Sequence, residues 1–140
     1  MGQLIPLFTS EEVKTYLAPI AVILIKDKVA AVRTSAVNVH SIIVKTLLEP
    51  EASTASGLVR VLLADLVVEL AKSESWIHRQ TYGSLALTLF QDSALEHTQF
   101  GQDILPNLLD LAEDKVPNVR LMVARALKQI RQASTYHYTV

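Results

Sequence analysis

No cysteine occurs among the 140 residues, which removes disulfides, thiol nucleophiles and thiolate metal sites together. Aromatic residues are only 6% of the chain although hydrophobic residues are half of it. The core must therefore be built from Leu, Val, Ile and Ala, a palette that suits helix-on-helix packing better than strands, which favour aromatics. Charge of one sign is also lacking: 13 basic against 14 acidic residues leave a formal net charge of −1. A nucleic-acid binder draws most of its affinity from neutralising phosphates, and a membrane-surface helix wants a basic face; neither is favoured here. The longest uncharged apolar stretch, Leu17 to Ile25, contains Pro19 and falls far short of the ~20 residues of a membrane span. No Asn-x-Ser/Thr sequon and no signal-like opening are present, so a cytoplasmic or nuclear location is expected.

Catalytic and metal motifs are missing as well. His40, His78, His97 and His137 are scattered without metal-ligand spacing. No Gly-x-Ser-x-Gly, Gly-rich phosphate loop or His-Glu-x-x-His occurs. The expectation is a protein with no enzymatic activity, cofactor or metal.

What the chain does have is repetition. Laid at an offset of 87, Pro19 meets Pro106, Asp27-Lys28-Val29 meets Asp114-Lys115-Val116, and Val32-Arg33 meets Val119-Arg120. Val32, Ala36, Val39 and Ile43 then fall on Val119, Val123, Ala126 and Ile130, spaced as one face of a helix. A more divergent copy lies between them. Its Arg79 stands 46 residues after Arg33 and 41 before Arg120, each interval within the ~40–47 residues of HEAT and armadillo units.

Thr9-Ser10-Glu11-Glu12 is a capping-box pattern and predicts a first helix running to about Ile25. A tight turn then leads to a helix from about Val29 to Leu48, and a polar loop at 49–56 carries Pro50. Further helices are predicted at about 57–72, 75–91, 98–113 and 117–134, with Pro117 suited to a helix start. Pro19 and Pro106 fall inside the first helix of their units, where proline removes a hydrogen bond and bends the axis. The fold class is all-α: an α-solenoid of about three units (about 10–48, 57–91 and 98–134) with six to seven antiparallel helices in a right-handed superhelical stack. The residues 135–140 are expected to form an irregular tail.

Leu105-Pro106, Leu108-Leu109, Asp114, Val119-Arg120, Ala124 and Ala126, with their counterparts around Pro19, Asp27 and Val32-Arg33, resemble a HEAT repeat. In finer detail, Leu70 to Tyr82 and Leu111 to Leu121 are similar to the regulatory and scaffold subunits of serine/threonine phosphatases, those of phosphatase 4 first and of phosphatase 2A more distantly. The resemblance implies a non-catalytic scaffold whose partner is a phosphatase catalytic subunit, gripped along the turns inside each repeat. Carried onto this chain, the contact residues are Lys28, Trp76, His78, Lys115 and Asn118. It also implies a structural ladder of Asp27, Arg33, Arg79, Asp114 and Arg120, each Arg reaching the turn Asp of its own or the adjacent unit. Ser73 stands where the middle unit should have Asp, so that rung is expected to be incomplete. Members of the family are much longer arrays, and the chain is expected to be a fragment or short paralogue of one.

Trp76, the only tryptophan, lies in a turn and either plugs its own core or projects as an interface anchor. Arg120, Arg125, Lys128 and Arg131 make the last helix basic, either as a solvated face complementing the helix's negative end or as a surface for an acidic partner. The end units of a short stack expose apolar surface unless capped, which predicts self-association. Two other functions remain open on the residues alone: a HEAT-repeat adaptor for a different protein, and a HEAT-like nucleic-acid-binding enzyme with a basic groove.

Overall fold

The computed structural model describes residues 3–49 and 55–138, with backbone alone at 6, 55, 56 and 136–138. The chain is all-helical, and no strand occurs among the described residues. Helix α1 spans 10–24, α2 Ala30–Leu47, α3 55–71, α4 Trp76–Gln91, α5 97–110 and α6 Pro117–Tyr138. Tight turns join α1 to α2, α3 to α4 and α5 to α6. The second helices α2, α4 and α6 stack on one another in order, with α1, α3 and α5 packed outside them. This is an α-solenoid of HEAT type. No described helix is long and apolar enough to cross a membrane.

The reason for the stack is visible in what each helix buries. In α4 the side chains of Tyr82, Leu85, Ala86 and Leu89 are all at most 1% exposed, because α4 is the middle layer and has a neighbour on both sides. In α6 burial narrows to Val119, Val123 and Ala126, with Ile130 partly covered, one stripe of a helix with one side open.

Helix α1 begins as expected. Thr9 Oγ1 accepts from the Glu12 N–H at 3.2 Å while Glu12 Oε2 accepts from the Thr9 N–H at 2.8 Å, a reciprocal capping box. Pro19 and Pro106 each break the regular ladder, but differently. Before Pro19 the chain winds as a wider π turn over Val13–Leu17, which absorbs the missing donor. Before Pro106, α5 is interrupted at Ile104 between His97–Asp103 and Leu105–Asp110. A second π turn, Val67–Ala71, ends α3 without any proline.

The last helix ends later than the residues predict. Instead of an irregular tail from 135, α6 continues to Tyr138. No Gly or Pro follows Pro117 to stop it, and the Ser134 and Thr135 hydroxyls donate back to the Ile130 and Arg131 carbonyls at 2.9 and 3.0 Å. Residues 139 and 140 of the expected tail, and 50–54 of the expected loop, lie outside the described residues.

At the amino end, a short 3-10 turn Ile5–Leu7 folds against α2 and buries Ile5 completely. Leu7 (78% exposed) and, on the outer face of α1, Tyr16, Ile20 and Ile23 remain open to solvent. The apolar surface is thus concentrated on the first unit, while the far end of the stack carries the cations of α6.

Candidate functional site

The three turns inside the units share one construction. Asp27 Oδ1 accepts from the Val29 N–H at 2.8 Å, Ser73 Oγ from the Ser75 N–H at 3.1 Å, and Asp114 Oδ1 from the Val116 N–H at 2.9 Å. Each is a side chain bonding its own backbone two residues on, which fixes a tight turn. Six residues beyond the turn residue stands an Arg that ties the turn's carbonyls to the following helix. Arg33 donates to Asp27 O and Lys28 O at 2.8 and 2.9 Å. Arg79 donates to Ser73 O and Glu74 O at 3.0 and 2.9 Å, and Arg120 to Asp114 O at 2.7 Å.

Only Arg79 goes further. Its Nε and Nη2 meet the two Asp114 oxygens at 2.6 and 3.1 Å, across the boundary between units. This fork is largely buried, with side-chain exposures of 10% and 6%. The hydrogen bond from Arg79 holds the Asp114 carboxyl below its ordinary range, helped by the Val116 N–H, and Asp114 in turn holds the guanidinium above its own. Arg33 and Arg120 reach backbone carbonyls rather than a turn carboxylate, so the ladder has one carboxylate rung among the described residues. For Arg33 the reason lies in the next turn, where Ser73 holds the place that Asp114 holds in the third and offers a hydroxyl, not a carboxylate. That hydroxyl is engaged instead by His78 Nδ1 at 3.0 Å.

We therefore expect Ser73→Asp to complete the missing rung. It should keep the turn bond and raise stability by about 0.5–1 kcal/mol. Denaturant unfolding of Ser73→Asp, with and without Arg33→Ala, measures the coupling. No gain, or a gain that survives loss of Arg33, would refute it.

Other ties join the units as well. Lys26 Nζ meets Glu69 Oε2 at 2.5 Å and the Ser41 hydroxyl meets Asp92 Oδ2 at 2.6 Å, joining the first and second units. Arg60 approaches Asp103 at 3.6 Å and Lys72 approaches Asp110 at 3.9 Å, joining the second and third. Lys26–Glu69 and Arg60–Asp103 share a separation of 43 residues, one repeat apart, whereas Ser41–Asp92 and Lys72–Asp110 follow no common spacing.

The Lys26–Glu69 and Arg79–Asp114 bonds set the three turns side by side along one edge. Lys28, Lys115 and Asn118 are exposed on it, and His78 is half-buried. Trp76 is 38% exposed at the first turn of α4. It is not one of the buried core residues of its unit, among which are Tyr82, Leu66 and Leu70. The indole thus leaves part of its apolar face in water, with Lys28 and Lys115 exposed on the neighbouring turns.

His40 is fully buried in α2, its Nδ1–H donating to the Ala36 carbonyl at 2.8 Å. Burial pushes it below its ordinary value, which keeps the ring neutral. It is part of the core.

Comparison with known proteins agrees with this architecture. A HEAT-repeat family model matches residues 104–130, from within α5 to Ile130 of α6. Across 126 residues, 90% of the chain, it is 36% identical to serine/threonine-protein phosphatase 4 regulatory subunit 1 of Homo sapiens. The mouse and rat proteins of the same name are each 35% identical over the same length. The chain spans only 13% of the length of these relatives. No solved structure matches it. The chain is a HEAT-repeat protein similar to regulatory subunit 1 of phosphatase 4.

Proposed function

We propose that this chain is a non-catalytic, regulatory or scaffolding stretch of solenoid that holds the catalytic subunit of a phosphatase 2A-like serine/threonine phosphatase, phosphatase 4 in the first instance. The observation that carries the reading is the similarity to a phosphatase regulatory subunit over nine-tenths of the chain. The turn edge supplies the surface. Trp76 is the anchor, Lys28 and Lys115 flank it on the neighbouring turns, and His78 and Asn118 complete the row. The ladder residues behind that row set the spacing of the turns and so the register in which a partner meets them.

Purified catalytic subunit of phosphatase 4, captured on the immobilised chain, tests the proposal. The parent chain binds it, and Trp76→Ala weakens binding by at least about tenfold, as truncation of an aromatic anchor does. Circular dichroism is unchanged, because Trp76 is not a core residue. A parent chain that captures none, or a Trp76→Ala chain that captures as well as the parent, overturns the corresponding part of the reading.

A further inference from the structure

On the side of the stack away from the turns, the end of α4, the link 92–96, the start of α5 and the middle of α6 enclose an open groove of about 970 Å³. It is the size of a site for a short peptide or small ligand. Its floor is aromatic: Phe90 meets His97 edge-on at 6.1 Å and Phe100 at 5.5 Å. Phe100 and Leu95 are themselves 5% and 8% exposed, so the floor is anchored in the core.

The groove is preformed. The chain leaves α4 through Ser93, whose φ of 52° puts it in the left-handed region. The Ala94 N–H returns to the Leu89 carbonyl at 3.0 Å, a helix-ending motif that fixes the direction of the link. Across the groove, Gln91 Nε2 meets Gln129 Oε1 at 2.5 Å, which ties the two walls together.

The wall supplied by α6 is cationic. Arg125 and Lys128 line the groove, and Arg131 continues the row beside Lys128 in an adjoining hollow. Spaced i, i+3 and i+6, the three lie along one exposed face. None has an ion-pair partner among the described residues, although the chain elsewhere pairs Lys26, Arg60, Lys72 and Arg79. The one carboxylate in the groove lining is Glu96. The protein as a whole is slightly acidic, so this concentration of unpaired positive charge is local.

We propose that the groove is a second binding site, for an acidic peptide segment carrying an aromatic or large aliphatic side chain. Its carboxylates meet Arg125 and Lys128, about one helical turn apart, and its apolar side chain rests on Phe90 and Phe100. The amides of Gln91 and Gln132 face a peptide backbone that needs both donors and acceptors. Nucleic acid fits less well: three cations and a net negative chain supply little phosphate neutralisation. The site does not rest on the phosphatase reading. Helix α4 carries Trp76 at one end and Gln91 at the other, roughly 22 Å apart at 1.5 Å per residue, so both surfaces can be occupied together.

The probe is a fluorescein-labelled octapeptide of aspartate and glutamate around a central phenylalanine, titrated with the intact chain by fluorescence anisotropy at low salt. The parent binds, and Arg125→Glu with Lys128→Glu weakens binding by about tenfold or more. The neutral pair Arg125→Gln with Lys128→Gln weakens it less. Lys45→Glu, an exposed cation on α2, leaves it unchanged, and replacing the peptide's phenylalanine by alanine weakens it severalfold. Both groove positions are exposed, so melting curves match the parent. Absence of parent binding, equal weakening by Lys45→Glu, or full binding by the doubly neutral chain overturns the proposal. Tighter binding of a single-stranded oligonucleotide that displaces the peptide does so too.

Discussion

Arg79→Ala lowers the unfolding free energy by about 3 kcal/mol, the range seen when one partner of a buried ion pair is removed. Three losses combine. The Asp114 carboxylate, 6% exposed, keeps only the Val116 N–H among its strong partners. The carbonyls of Ser73 and Glu74 lose their shared donor. The second and third units lose their two-point tie. Arg33→Ala and Arg120→Ala, which release backbone carbonyls at more open turns, cost less than about 1.5 kcal/mol each. Removing both partners, with Arg79→Ala and Asp114→Ala together, costs less than the sum of the two single changes, because no buried charge is left over. Denaturant unfolding of the parent and these five variants is the measurement; Arg79→Ala no worse than Arg33→Ala would contradict it.

The same pair gives an acid limb. Asp114 is depressed from its ordinary 3.8, so in the unfolded chain it takes up a proton at a higher pH than in the folded one. Its contribution is whole above that value and is lost as pH falls through the lower folded value. The Arg79→Ala chain lacks this part of the acid dependence.

Gly83→Val costs about 2–3 kcal/mol. A Cβ placed on Gly83 stands 2.9 Å from Met122 Cγ and 3.6 Å from Met122 Cβ, so α4 and α6 approach closely there because the position has no side chain. Alanine at 83 gains roughly 1 kcal/mol of helix propensity, which offsets part of its collision. Valine adds two methyl groups with a stiff χ1 and cannot step aside. Met122→Ala opens the space and should return a large part of the loss in the double variant. Thermal unfolding checks both; a Gly83→Val chain as stable as the parent would show that the helices part without cost.

How much of this was legible beforehand follows from what repeats. Asp27, Asp114 and the three arginines were readable because each unit needs the same turn, and a shared need leaves a period in the chain. The absent rung at Ser73 was readable for the same reason, as a departure from that period. Trp76 was ambiguous on residue type alone, since a tryptophan at a turn packs inward or outward according to how the helices around it meet. Gly83 carried no signal by itself: a glycine in a helix tells of close approach only once the facing helix is known. The groove under α6 was half-visible. The row of cations was plain, but the aromatic floor comes from Phe90, His97 and Phe100, which straddle a helix end and a linker and meet only after the chain has turned.

The uneven distribution of ties has a mechanical consequence. Among the described residues, a buried fork, two surface ion pairs, an amide bridge and the close contact at Gly83 lie between the second and third helix pairs; one ion pair and one hydroxyl–carboxylate bond lie between the first and second. A tensile load along the array therefore falls on unequal springs, and strain gathers at the softer joint. Pulled from its two ends, the stack is expected to open first between the leading pair and the second.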